Sequence, residues 1–91
     1  MMKETADFIL LDVRTPEEYK QARIKGAKLI PVDELARRAS AELPDTSIVI
    51  LIYCQSGIRA GKAVKTLKRM GYANVYNFGG ITNWPYGTIK D

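Results

Sequence analysis

The chain has 91 residues, of which 46% are hydrophobic and 26% are charged, and this size and composition predict one small globular domain. One cysteine and no histidine are present. This excludes an intramolecular disulfide, Ser-His-Asp and Cys-His catalysis, and the commonest zinc ligand. The net charge of +4 is mildly basic and is compatible with a small anionic substrate.

Neither a membrane nor a nucleic acid is indicated as a partner. The longest apolar run, Ile48 to Cys54, is far shorter than the ~20 residues of a membrane-spanning helix. The apolar run Phe8–Leu11 is too short for a signal-peptide core. Aliphatic residues separate the charges of the most basic segment, Lys62–Arg69, which favours a helix with one solvated face over a nucleic-acid site. We therefore expect a cytoplasmic protein, in which a reducing environment keeps the single thiol available.

Two short apolar segments alternate with helical ones in the first half of the chain. Phe8–Leu11 is a continuous apolar run and predicts a buried strand. Thr15–Glu18 has the N-cap, the proline and the capping box of a short helix. Lys28–Ile30 predicts a second strand. Asp33 can cap a helix that runs to about Glu42, with an apolar face formed by Leu35, Ala36, Ala39 and Leu43.

The strongest strand signal lies at Ile48–Tyr53, which is apolar at every position and is typical of the centre of a parallel sheet. A polar loop, Cys54–Arg59, follows it. Apolar residues at helical spacing then predict a helix over Ile58–Met70, with Gly71 as its C-terminal cap.

The end of the sequence predicts one more strand, at Asn74–Asn77, before Gly79-Gly80 leads into a short helical turn containing Trp84. Strands that alternate with helices through short loops indicate an α/β fold. We expect a small, mainly parallel sheet flanked by helices.

Cys54 is the candidate nucleophile. A single cysteine is more often a small core residue, but Cys54 directly follows a buried strand, and ligands of open α/β sheets bind at that end of the strands. The loop and the following helix can direct backbone N–H groups and a helix dipole at an anion. Gly57 permits a sharp turn, and Arg59 adds a positive charge that closes the ring of amides. This environment favours a thiolate.

Cys54-Gln55-Ser56-Gly57-Ile58-Arg59 resembles the Cys-x-x-Gly-x-Arg active loop of the rhodanese sulfurtransferases. Further segments are similar to other parts of that family, in the same order: Leu11–Arg14 with Glu17–Tyr19, Ile24–Pro31, and Gly79–Trp84. The resemblance extends from about Phe8 to Trp84, and we therefore expect residues 1–91 to form a single rhodanese-like domain.

The resemblance implies sulfur transfer with no metal and no organic cofactor. Cys54 would take the outer sulfur of thiosulfate or of a persulfide donor and become a persulfide. It would then pass this sulfur to a thiophilic acceptor such as cyanide, a thiol or a protein. The backbone amides of Gln55, Ser56, Gly57, Ile58 and Arg59 would hold the persulfide anion. Asp12 and Arg14 are interpreted as a supporting ion pair at the strand end, in preference to direct substrate contacts.

The sequence departs from the family pattern at a few positions. Ala22-Arg23 stands where the family usually has Gly-His, and Ala60 stands where it often has serine. Gln55 replaces a frequent arginine, which reduces the positive charge of the loop and predicts a lower affinity for thiosulfate.

Two other functions stay open at this point. Cysteine phosphatases and arsenate reductases have a similar loop, but they usually place five residues between cysteine and arginine, whereas four lie between Cys54 and Arg59. The shorter loop fits one sulfur atom better than a tetrahedral oxyanion. A non-catalytic rhodanese-like binding module is the other alternative, although such modules typically lose the cysteine.

Overall fold

A four-stranded parallel sheet organises the computed structural model, which describes residues 8–84 and 87–89. The strand order is β2-β1-β3-β4. This arrangement confirms the α/β class and the central position of the most apolar strand. The strands are β1 (Phe8–Asp12), β2 (Lys28–Leu29), β3 (Val49–Cys54) and β4 (Val75–Gly80).

The sheet is covered by helices α1 (Pro16–Gln21), α2 (Leu35–Glu42) and α3 (Ile58–Arg69). The predicted capping box of α1 is confirmed, since the Thr15 hydroxyl accepts a hydrogen bond from the Glu18 amide and the Glu18 carboxylate accepts one from the Thr15 amide. Within the described residues, no helix has the length and apolar character needed to cross a membrane.

The predicted start of the second helix is wrong. Pro31 precedes a 3-10 turn, Val32–Glu34, and no side chain caps either that turn or α2. Asp33 lies inside the turn and therefore cannot act as the N-cap. Ala36 was expected on the apolar face but is exposed, because it lies about 100° around the helix from the buried Leu35.

Alternate residues of β3 contribute to two apolar layers. Ile50, Ile52 and Cys54 belong to the core beneath α2 and α3, whereas Tyr53 packs in the layer on the α1 side. The nucleophile predicted from the sequence therefore points toward α3. The α3-side layer also contains, among others, Leu11, Leu35, Ala39, Ala60, Ala63 and Leu67.

Strand β4 continues to Gly80, three residues beyond its predicted end. The register between β3 and β4 shifts between Ile52 and Cys54, so that Cys54 pairs with Gly80. A 3-10 turn, Ile81–Asn83, follows immediately, and Trp84 comes directly after it. The end of β4 therefore lies beside the candidate active loop.

Candidate active site

Cys54 is the last residue of β3, and its side chain is completely buried. Its Sγ accepts hydrogen bonds from the amides of Gly57, at 2.8 Å, and Ala60, at 3.4 Å. Gly57 has φ +96° and precedes the first residue of α3, so the turn predicted for this glycine is confirmed. The loop bends back over the sulfur and brings amide donors to it.

The predicted ring of amides is only partly in contact with this sulfur. Ala60 lies just beyond the loop residues that the sequence singled out, yet its amide is one of the two that donate to Sγ. In the described part of the chain, no hydrogen bond joins Sγ to the amides of Gln55, Ser56, Ile58 or Arg59. Contact of those amides with the outer sulfur of a persulfide stays a prediction.

The end of β4 holds the loop in place. The Asn77 side chain donates from Nδ2 to the Gly57 carbonyl at 3.1 Å and accepts from the Gly79 amide at 2.7 Å. A Cβ on Gly80 would lie 2.4 Å from the Gln55 carbonyl oxygen, so only glycine fits there without displacement. Sequence reasoning missed this contact, although the Gly79-Gly80 pair was the available signal.

Arg59 is bound by a residue that sequence reasoning did not assign to the site. Its Nη1 and Nη2 donate to the two carboxylate oxygens of Glu18 at 2.8 and 3.0 Å. The hydrogen bond from Arg59 lowers the pKa of Glu18 from 4.5 to about 2, and the same bond raises the pKa of Arg59. Since Glu18 also belongs to the capping box, the pair joins the start of α3 to the start of α1.

The predicted ion pair between Asp12 and Arg14 is confirmed and is buried, with exposures of 0% and 2%. Arg14 donates from Nη2 and Nε to the Asp12 carboxylate at 2.8 and 3.0 Å. Burial alone would lower the pKa of Arg14, but the hydrogen bonds and the charge of Asp12 raise it. Arg14 also donates from Nη1 to Gln55 Oε1 at 3.3 Å and from Nη2 to the Ala22 carbonyl. The pair therefore contacts the candidate active loop from the end of β1, through the side chain of Gln55.

A cavity of about 570 Å³ adjoins the loop. Trp84 packs against Phe78 with ring centroids 5.7 Å apart and also lines this cavity. One cation, Arg14, and one carboxylate, Glu18, line this cavity, so the charges of its lining side chains balance. The lining residues are Arg14, Glu18, Gln21, Ala22, Gln55, Ile81, Thr82, Trp84 and Thr88.

Comparison with known proteins assigns this arrangement to a family. The model of the rhodanese-like domain matches residues 1–85. The chain belongs to the rhodanese-like domain family. Its fold and its Cys-x-x-Gly-x-Arg loop agree with that membership, and the chain is a rhodanese-like enzyme.

The chain is similar to sulfurtransferases from two bacteria and to a solved rhodanese structure. Thiosulfate sulfurtransferase PspE of Escherichia coli is 39% identical over 80 residues, which are 88% of this chain and 77% of PspE. A sulfurtransferase of Allochromatium vinosum is 38% identical over 84 residues, covering 91% of this chain and 77% of its own length. A solved structure of a rhodanese with anions from E. coli has a TM-score of 0.86 and 35% identity, and the match covers 91% of this chain and 98% of that one.

Proposed function

We propose that this rhodanese-like enzyme moves a sulfane sulfur through a persulfide formed on Cys54. The observation that carries the proposal is the pair of backbone amides, from Gly57 and Ala60, that donate to Sγ. Amide donors complement negative charge on sulfur, and the N-terminus of the 12-residue helix α3 adds the positive end of its dipole. The relatives named as sulfurtransferases support the same reaction.

The first half-reaction loads the enzyme. The Cys54 thiolate attacks the outer sulfur of thiosulfate, an Sγ–S bond forms, and the sulfur–sulfur bond of thiosulfate breaks. Sulfite leaves with the electron pair of that bond. The new terminal sulfur carries a negative charge, and we propose that the backbone amides of Gln55 to Arg59 bind it. Because the Cys54 side chain is fully buried, loading requires the loop to open a path for the donor sulfur.

The second half-reaction unloads the enzyme. Cyanide or an acceptor thiolate attacks the terminal sulfur, and the persulfide bond breaks. Its electron pair returns to Sγ, which restores the Cys54 thiolate. No proton has to be removed from the nucleophile during either half-reaction, so this chemistry does not need the histidine that the sequence lacks.

We propose that the partners are a small anionic sulfur donor and a thiol or protein acceptor. We also propose that the protein encounters both in the cytoplasm. Thiosulfate is expected to bind weakly. Both arginines near the loop, Arg14 and Arg59, already pair with carboxylates, and Gln55 contributes no charge. A persulfide donor with less negative charge would be less affected by this balance.

The direct test is transfer from thiosulfate to cyanide by the wild type and by Cys54→Ser. Wild-type protein treated with thiosulfate should gain the mass of one sulfur atom, and it should form thiocyanate when cyanide is added. Cys54→Ser should do neither. Ser56→Ala is the matched control, since it changes a neighbouring loop side chain and keeps every backbone amide. Thiocyanate formation at the wild-type rate by Cys54→Ser would contradict the proposal.

The same preparation separates the alternative functions. A cysteine phosphatase would hydrolyse an aryl phosphate in a Cys54-dependent manner, and a binding module would acquire no persulfide mass. We expect no phosphate hydrolysis. With only four residues between Cys54 and Arg59, the ring of backbone amides has room for about one sulfur atom and not for a phosphoryl group.

A further inference from the structure

The positive charge of this protein is unevenly distributed. Helix α3 contains five basic residues and no acidic residue. Among residues 8–84 and 87–89, Arg59 is the only one of these five in an ion pair. Basic residues elsewhere are neutralised more often, as in the ion pairs Arg14–Asp12, Lys28–Glu42, Arg37–Glu34, Arg38–Glu34 and Arg38–Glu42.

The basic residues of α3 that have no ion-pair partner among the described residues include a row along one side of the helix, and this row begins next to the active loop. Ile58, Lys62, Lys65 and Arg69 have the spacing that places residues on one side of a helix, and all four are exposed. We call this set the α3 face. A helix of this length extends about 18 Å, so the face leads away from the loop for that distance. The buried residues of the helix, Ala60, Ala63 and Leu67, lie on its other side.

An apolar residue marks the end of this face nearest the sulfur. Ile58 is 71% exposed, which is high for a large aliphatic side chain. It lies between Gly57 and Ala60, whose amides donate to Cys54 Sγ. A partner bound along α3 would therefore make an apolar contact beside the sulfur and would meet a row of positive charges farther along the helix.

We propose that the α3 face binds an acidic protein segment that carries the sulfur-accepting thiol, an inference that rests on the proposed sulfur transfer. The thiolate of the segment attacks the terminal sulfur of the Cys54 persulfide, and the electron pair of the broken bond returns to Sγ. The segment leaves as a persulfide. Charge complementarity steers such a partner and fixes its direction on the enzyme. The face has no aromatic side chain on which a nucleic-acid base could stack, so an acidic protein fits it better than RNA.

The test compares two synthetic acceptor peptides, one rich in glutamate and one with glutamine at the same positions, each with a single cysteine. Persulfide formed on each peptide is measured with thiosulfate as donor, and kcat/KM is compared at low and high salt. The acidic peptide should be preferred by about tenfold at low salt, and the preference should shrink at high salt.

The charge-reversal variant Lys62→Glu/Lys65→Glu should lose this preference. The matched control is Lys20→Glu/Lys25→Glu, which changes the net charge by the same amount outside α3 and should keep it. Because the readout is a ratio between two peptides on one enzyme, a partial loss of folded protein cancels. Transfer to cyanide, measured in parallel, reports on the proposed function separately.

Three outcomes would overturn the inference. One is equal kcat/KM for the two peptides in the wild type. Another is equal loss of preference in the two charge-reversal variants, which would indicate a general charge effect. The third is tight binding of a single-stranded RNA oligonucleotide that depends on Lys62 and Lys65 without any preference for the acidic peptide. In each case transfer to cyanide could persist, and the proposed function would stand.

Discussion

Substitution of Gly80 by alanine should disable the active loop without touching the nucleophile. The backbone of Gly80, with φ −93°, is one that alanine adopts readily, so the change adds a methyl group and little backbone strain. That methyl carbon would lie 2.4 Å from the carbonyl oxygen of Gln55 and 3.3 Å from its carbonyl carbon. The carbonyl is backbone, so it cannot rotate away as the end of a flexible side chain can.

The size of the effect follows from the displacement. Ordinary contacts begin near 3.4 Å, so Gly80 and Gln55 must separate by about 1 Å. Pairing with β3 restrains Gly80, whereas Gln55 lies in the loop, and we expect the loop to move. A shift of that size costs about 10²-fold in rate when it misplaces a donor. The extra atom should also lower the free energy of unfolding by roughly 1–3 kcal/mol.

The assay is kcat/KM for transfer from thiosulfate to cyanide, with urea denaturation as the stability measurement. Gly61→Ala is the control. The nearest atom to its new methyl carbon, Asn77 Nδ2, is 3.7 Å away, and alanine favours a helix over glycine by about 1 kcal/mol. We expect this control to retain activity and to gain stability.

Wild-type kcat/KM in a folded Gly80→Ala variant would refute the reasoning, because it would mean that β4 does not position the loop. A variant that fails to fold leaves a second test. Asn77→Ala removes the hydrogen bonds to the Gly57 carbonyl and the Gly79 amide without adding an atom. It should also lower kcat/KM, and an unchanged value would lead to the same refutation.

The two ion pairs of the site give further predictions. Asp12→Asn leaves the charge of Arg14 buried without its carboxylate partner. Measured by urea denaturation, the free energy of unfolding should fall by about 3–5 kcal/mol. A loss below about 1 kcal/mol would contradict the supporting role of the pair. Glu18 has its pKa lowered from 4.5 to about 2, so its pairing with Arg59 stabilises the fold above pH 4.5 and is lost as the pH falls toward 2. The pair is partly exposed, so Glu18→Gln should reduce the loss of unfolding free energy between pH 4.5 and 2 by roughly 1 kcal/mol. An equal pH dependence of the unfolding free energy in the wild type and the variant would argue against the ion pair.

Much of the fold could be predicted because its signals are local. The continuous apolar run of β3 reflects burial on both faces of the sheet, and the capping box depends on residues only three positions apart. Gly57 was predicted at a sharp turn, and its φ of +96° is one that glycine adopts readily. Local reasoning was wrong where two local preferences compete, as at the start of α2. There a 3-10 turn directly follows Pro31 and includes Asp33, which removes Asp33 from the capping position.

The sequence by itself determined the nucleophile candidate, the strand–loop–helix arrangement around it and the family resemblance, because these depend on residue order and short spacing. Only the tertiary structure decided which groups hold the loop. Arg59 is joined to Glu18 across 41 positions of sequence, and Gly80 meets Gln55 only because β4 pairs with β3. Neither contact leaves a periodic pattern in the sequence. Hydrogen bonds and steric fit depend on distance in space, and the folding of the sheet brings these distant segments together.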